Sequence, residues 1–302
     1  MAERLTYTTG RQLRALFAAR GIRPKRGLGQ NFLVDPNLLQ VVAGAAELTR
    51  DHVVMEIGAG TGSLTEILAA QCGEVVAIEK DEYLGKIARD SLASVQNVRL
   101  ISSDILDKTG GIAPRALQPV DEILKSGRCS RFKVVGDLPF SIATPVITGL
   151  MQAEPMPELI VATVQLEVAE RLIAAPRTRA YGFLSVLVQS HASVELIRKL
   201  PPWVYWPSPK VWSALVRIGS IQRPDPAALA ALRNVASALF EQRRKTAANA
   251  LIMKGVAESK DAAERLLARV GVEPSRRADA LTVDETVRLA RLAPSTRTGE
   301  TA

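Results

Sequence analysis

Residues 134–145 read Val-Val-Gly-Asp-Leu-Pro-Phe-Ser-Ile-Ala-Thr-Pro, and Asp137-Leu138-Pro139-Phe140 has the residue types to handle a flat base. An apolar run, Phe132 to Val135, reads as a buried strand that stops at Gly136. The next four residues set a hydrogen-bond acceptor, a carbonyl held by the following proline and an aromatic ring side by side. Those parts can grip a planar, amine-bearing base and act on its amine. A strand-to-helix loop turned by proline would carry the same letters, so the segment takes its meaning from its company.

Glu56-Ile57-Gly58-Ala59-Gly60-Thr61-Gly62 follows another apolar run and opens a helical pattern. Its glycines allow a ligand to approach the backbone. The spacing is G-x-G-x-G, with Ser63 where a dinucleotide fingerprint needs glycine. Glu56 would repel a pyrophosphate and favour a cation; S-adenosylmethionine carries a sulfonium and no phosphate. Glu79 ends the next strand-like run, where an acid meets ribose hydroxyls in doubly wound folds. Asp104, just past a third run, could accept from an adenine amine. Singly, each acid could be a solvated strand end. Together, Glu56, Glu79, Asp104 and Asp137 mark the ends at which open α/β sheets bind ligands.

The elements that must position these residues alternate. Val53–Ile57, Val75–Ile78, Val98–Ile101, Phe132–Val135 and Leu159–Val164 read as strands. Leu64–Ala70 and Glu82–Leu92 read as helices between them, which predicts a parallel sheet covered on both faces. Glu167–Ile173 and Gly182–Ser190 read as helices, and Val194–Ile197 and Ala214–Ile218 as strands joined by a Pro- and Trp-rich connection. Upstream, Thr9 with Gln12 fits a capping box and Gly21 a helix stop. Asp35-Pro36 starts a helix expected to reach Glu47. Beyond the linker-like Gln222–Pro226 the pattern is helical, with a second capping box at Thr282 and Glu285 and a loose tail after Ala293. The expected divisions are 1–50, a helical and basic arm contributing to the cofactor site, 51–220, and a helical 221–302.

The chain has 302 residues, 47% apolar and 23% charged, as an ordinary globular protein does. No window approaches the ~18 uninterrupted apolar residues of a membrane span. Cys72 and Cys129 are too few for a disulfide framework, and His52 and His191 lack metal-type spacing, so no metal site is indicated. Free thiols and the lack of an apolar export segment point to the cytoplasm. A net charge of +8, from 39 basic and 31 acidic residues, suits a polyanionic partner.

Gln30-Asn31-Phe32-Leu33, the Glu56–Gly62 loop, Glu79, Asp104 and Asp137–Phe140 resemble, in order, the motifs of the ribosomal RNA adenine dimethyltransferases. Tyr181–Val186, Pro207–Val211 and Phe240–Thr246 extend the resemblance, which runs from about residue 23 to 290. It implies an α/β, doubly wound, seven-stranded Rossmann-like class I methyltransferase sheet with a small C-terminal helical, RNA-binding domain. The implied reaction is S-adenosyl-L-methionine-dependent N6,N6-dimethylation of two adjacent adenosines in a small-subunit (16S) rRNA hairpin of the immature 30S subunit. By the same resemblance Asn31, Leu33, Glu56, Gly58, Gly60, Glu79, Asp104 and Asp137 would form the cofactor site. Asp137, the Leu138 carbonyl, Pro139 and Phe140 would hold the target adenine. A monomer without membrane association is expected.

The family usually has Asn at 137, Tyr at 140 and Asp at 212, where this chain has Asp, Phe and Trp. Basic residues expected on RNA are Arg23, Lys25, Arg26, Arg177, Arg179, Lys210, Arg243, Arg244 and Lys245. Two other readings stay open: a 23S rRNA adenine methyltransferase, or an RNA- or DNA-binding assembly or transcription factor that kept the fold without the catalysis. A nicotinamide dehydrogenase fits poorly, given Glu56 and Ser63.

Overall fold

The structure, a computed structural model, describes residues 9–139 and 141–293, and for Arg26 the backbone only. Helix α1 (Gly10–Ala19), a two-residue strand β1 (Phe32–Leu33) and α2 (Pro36–Gly44) precede the alternating region. That region runs β2 (His52–Ile57), α3 (Ser63–Gln71), β3 (Glu74–Glu79), α4 (Glu82–Ser91), β4 (Val98–Ser102), α5 (Pro114–Lys125), β5 (Arg131–Asp137), α6 (Ala143–Leu150) and β6 (Leu159–Gln165). Next come α7 (Leu166–Leu172), α8 (Phe183–Gln189), β7 (Ser193–Leu200), β8 (Tyr205–Trp206) and β9 (Ser213–Gly219). Helices α9 (Pro226–Glu241), α10 (Ala247–Met253), α11 (Lys260–Arg269) and α12 (Val283–Leu292) follow.

The seven-stranded sheet has the order β4-β3-β2-β5-β6-β9-β7. Strands β2 to β6 pair in parallel, as expected, whereas β9 runs antiparallel to β6. Every residue of β2 is buried, and all of β6 but Gln165, which explains their near-continuous Val, Ile and Leu. The chain moves outward from β2 to β3 and β4, then returns to β5 on the other side of β2. That reversal opens a crevice at the carboxyl ends of β2 and β5. Their backbones lie close there: a Cβ on Gly136 would sit 2.7 Å from the Ile57 carbonyl oxygen.

Helix ends follow the side chains the sequence offers. Thr9 and Gln12 form a reciprocal capping box on α1, and Thr282 and Glu285 one on α12. The Asp35 side chain caps α2 from Asn37 N and Leu38 N. That helix ends at Gly44 rather than Glu47; Glu47 turns to a φ of 49°.

Two compact units divide the chain, one of residues 1–169 and 195–221, the other of 170–194 and 222–302. The first holds the sheet and the N-terminal arm, with Leu13, Leu16 and Phe17 of α1 packed on Leu84 and Ile87 of α4. The second is built on a core that includes Tyr181, Val186, Leu232, Val235, Leu251, Leu267 and Leu289. The sequence places boundaries near 50 and near 220. Segment 170–194 lies before the second, yet belongs with the helices because Tyr181 and Val186 bury in their core, Tyr181 edge-on to Phe240 at 5.4 Å.

Candidate active site at the carboxyl edge of the sheet

A cleft of about 190 Å³ opens at the switch point, between the loops after β2, β3, β4 and β5. Asn31, Gly58, Gly60, Glu79, Asp104 and Asp137 all line it, as do Leu138 and Pro139. A smaller adjoining cavity shares Gly58, Gly60 and Asp137 and adds Leu33 and Glu56. The structure thus brings together every described residue expected at the cofactor and target sites. Phe140, expected to stack on the target base, lies outside the described residues.

Each acid is held by its own strand end. Glu79 is buried, and its two oxygens accept from Gly60 N at 2.8 Å and Asp81 N at 2.7 Å. Burial raises its pKa, and those N–H donors partly offset the rise. Each oxygen keeps a lone pair for a further donor. Glu56 is 1% exposed and its Oε2 has no hydrogen-bond partner among the described residues. Desolvation pushes its pKa up to about 8, helped by the nearby Glu79 charge and opposed by Thr65. Asp104 accepts from Lys80 Nζ at 2.6 Å and from Leu106 N at 3.2 Å. Burial works against its charge, but Lys80 and the backbone donors overcome it and hold its pKa low.

Asp137 ends β5 directly opposite Thr163 of β6, whose hydroxyl donates to Asp137 Oδ1. Desolvation raises the Asp137 pKa to about 7, against the pull of Thr163 and of the Leu33 backbone N–H. Leu138 N donates to the Thr163 carbonyl at 3.2 Å, and Ile142 N to that of Pro139 at 3.0 Å. Both bonds fix the segment at which an amine would be held. At Gly58 the φ is +83°, a left-handed conformation that favours glycine, and the loop lies beside Asp137, whose carbonyl oxygen would be 3.4 Å from an added Cβ.

The N-terminal arm reaches the cleft through a small ribbon. Strand β1 pairs antiparallel with β8, Phe32 opposite Trp206 and Leu33 opposite Tyr205. Farther back, Lys25 Nζ and Gln30 Nε2 meet Asp81 Oδ2 at 2.8 and 3.1 Å, while Asp81 Oδ1 caps α4.

Sequence reasoning missed the polar group behind Asp137. Thr163, Tyr205 and Ser213 gather there, all buried. Among the described residues the Tyr205 hydroxyl and Ser213 Oγ have no hydrogen-bond partner, and burial followed by the Asp137 charge raises the Tyr205 pKa. One sign was legible: Thr163 interrupts the otherwise apolar Leu159–Val164.

The basic residues separate into two kinds. Arg23, Lys210, Arg244 and Lys245 are exposed and form no ion pair among the described residues. Arg177 and Arg179 are exposed too. Lys25 and Arg243, both expected on RNA, have partners within the protein. Lys25 is paired with Asp81. Arg243 donates to the Arg179 and Thr178 carbonyls at 2.9 and 3.2 Å and lies 3.7 Å from Asp279. The Arg26 side chain lies outside the described residues.

A family model described as "Ribosomal RNA adenine dimethylase" matches residues 22–293. The chain belongs to the ribosomal RNA adenine dimethylase family. It is an rRNA adenine dimethyltransferase with the family's fold and motif order. A "Ribosomal RNA small subunit methyltransferase A" from Moorella thermoacetica is 37% identical over 286 residues, covering 94% of this chain and 97% of its own. One of the same name from Geobacillus thermodenitrificans is 36% identical, covering 92% and 93%. Among solved structures, the 23S rRNA methyltransferase ErmE matches with a TM-score of 0.63 and 26% identity, over 86% of this chain and 98% of its own. A dimethyladenosine transferase from Plasmodium falciparum has a TM-score of 0.67 at 19% identity, over 84% and 94%, a likeness of fold.

Proposed function

We propose that this adenine dimethylase uses S-adenosyl-L-methionine to dimethylate N6 of two adjacent adenosines in a 16S rRNA hairpin of the immature 30S subunit, acting as a cytoplasmic monomer. The observation that carries this is the convergence of Glu56, Glu79, Asp104 and Asp137 on one crevice at the switch point. The small-subunit relatives, matched over nearly their whole length, favour 16S over 23S rRNA.

The cleft fits the cofactor by its donor set. The Glu56 carboxyl, pushed toward its neutral form by burial and with Oε2 unpartnered among the described residues, would be drawn to its charged form by a cationic ligand and would oppose a pyrophosphate. Glu79 would take the ribose hydroxyls and Asp104 the cofactor adenine, sharing Oδ2 with Lys80. Asn31, Leu33, Gly58 and Gly60 would line the methionine end. When bound, the cofactor supplies an electrophilic methyl group on a sulfonium.

The chain's residues then make a poor nucleophile usable. An exocyclic adenine amine is weakly nucleophilic because its lone pair is delocalised into the ring. Asp137 and the Leu138 carbonyl accept its two N–H bonds, which favours a pyramidal nitrogen and fixes the lone pair's direction. Alignment is the main lever. A carboxylate beside the amine also stabilises the positive charge that develops there. Phe140 would stack on the base once it has left its helix, an exchange least costly in an unpaired loop. The exposed Arg23, Lys210, Arg244 and Lys245, with Arg26, would contact phosphate.

The test is methyl transfer to protein-depleted, unmethylated small subunits. Asp137→Asn is expected to keep or exceed the wild-type rate, because its amide oxygen still accepts. Asp137→Ala is expected to lose at least about tenfold, the worth of one acceptor in a dry site. An alanine variant at the wild-type rate would remove position 137 from the mechanism. Methylation mapped to 23S rRNA instead would overturn the substrate.

A further inference from the structure

The connection between β7 and β9 exposes aromatic surface that the cleft does not use. Trp203 is 73% exposed and Trp212 43%, and their rings meet edge to face with centroids 5.8 Å apart. Val211 beside them is 45% exposed. Exposed tryptophans normally find cover, and Trp206 does so between Phe17 and Phe32 in the same connection. Among the described residues, the ring contact shown for Trp203 and for Trp212 is the one they make with each other.

Its charge setting names the kind of cover it lacks. Arg198, Lys199 and Lys210 flank the pair in the chain, all exposed and without ion-pair partners among the described residues. Between Glu195 and Asp225 the chain has no acidic residue. Aromatic rings interleaved with unpaired cations suit single-stranded nucleic acid, whose bases stack and whose phosphates take the charge. A protein or lipid surface would not need the alternation.

The place is also right. Leu215 of β9 is level with Thr163, which is level with Asp137. Trp212 lies three residues past Leu215, roughly 10 Å farther out, and two strands away, roughly another 10 Å. Its carbonyl accepts from Leu166 N at 2.9 Å, just past the carboxyl end of β6. Trp203 precedes Val204, whose carbonyl accepts from Val34 N at 2.9 Å, beside the ribbon that brings the arm to the cleft. A strand threaded into the cleft would reach the pair within a few nucleotides.

We propose that Trp203 and Trp212 form a stacking platform for an unpaired base a few nucleotides from the target adenosine, with Lys210 on the adjoining phosphate. The proposal rests on the RNA reading of the cleft, and its test separates the two. The probe is a protein-free RNA hairpin carrying two adjacent unmethylated adenosines in its loop, titrated into the intact chain while tryptophan fluorescence and methyl transfer are followed.

Wild-type fluorescence should be quenched on binding. Trp203→Ala/Trp212→Ala should abolish the quench and weaken hairpin binding about tenfold. Cofactor affinity and kcat should stay at wild-type values. Trp203→Phe/Trp212→Phe should restore most of the affinity, which a lost packing contact would not predict. Unchanged hairpin affinity in the alanine pair overturns the platform, even if the wild type methylates the hairpin normally. So does a loss seen with whole subunits and not with the free hairpin, which would assign the pair to a ribosomal protein. Quenching and tight binding of the hairpin, with no methyl transfer by the wild type to unmethylated small subunits, would leave the platform standing and overturn the reaction.

Discussion

Burial decides the protonation of the residue on which the chemistry turns. Thr163 donates to Asp137 Oδ1 and the Leu33 backbone N–H also holds the carboxyl, so a substrate amine would meet its remaining lone pairs. With a pKa near 7, Asp137 is divided between two forms around neutrality. The ionised form offers only acceptors. In the neutral form the acid proton would take one of those lone pairs and confront the N–H of the amine, donor against donor. The ionised form is therefore the working one, and the methylation rate should climb as pH rises through about 7. A bound cation nearby would move that rise to lower pH. Asp137→Asn has no such proton, because Thr163 Oγ can accept from its NH₂ while the amide oxygen faces the substrate. Rates of kcat/KM for RNA measured from pH 5.5 to 8.5 should show a rising limb in the wild type and a flat line in the variant. A limb that survives in Asp137→Asn would assign the titration to another group.

At the scale of elements, the arm and the sheet edge are held by contacts that are short in number and long in sequence separation. Asp81 both caps α4 and receives Lys25 and Gln30. Lys25→Ala should thus loosen the arm and raise KM for the cofactor several-fold, with no change in the salt dependence of RNA binding. Asp81→Ala should add the loss of a helix cap, about 1 kcal/mol of stability. A flattened salt dependence in Lys25→Ala would return that residue to the RNA surface. The same contacts explain what the sequence made legible. Apolar β-branched runs gave the central strands, and an acid at each strand end marked the cleft, because both signals are local. The Asp137–Thr163–Tyr205 grouping is not local. Thr163 meets Asp137 through lateral strand order, and Tyr205 through a ribbon of two residues per strand, too short to carry a period. The antiparallel sense of β9 was equally hidden, since alternation describes a strand and not its direction. Segment 170–194 read as helical but gave no sign of which core it joins, a matter of tertiary partners such as Phe240.

At the scale of the whole molecule, the excess of positive charge matters only where cations are not already paired. A run such as Arg243-Arg244-Lys245 looks uniform in sequence, yet its members differ. Arg243 donates to two backbone carbonyls and faces Asp279, while Arg244 and Lys245 are exposed and form no ion pair among the described residues. Counterion release depends on the number of phosphates neutralised, so each lost contact lowers the salt slope by a fixed amount. Arg244→Ala/Lys245→Ala should weaken rRNA binding and flatten the plot of log K against log salt by about 1.5, with melting temperature unchanged. Arg243→Ala should do the reverse. It removes the donor from two exposed carbonyls that water can reach, costs at most about 1 kcal/mol of stability, and leaves the slope alone. Affinities measured between 50 and 300 mM salt, beside melting curves, separate the two effects. A slope unchanged in the double variant would take these cations off the RNA.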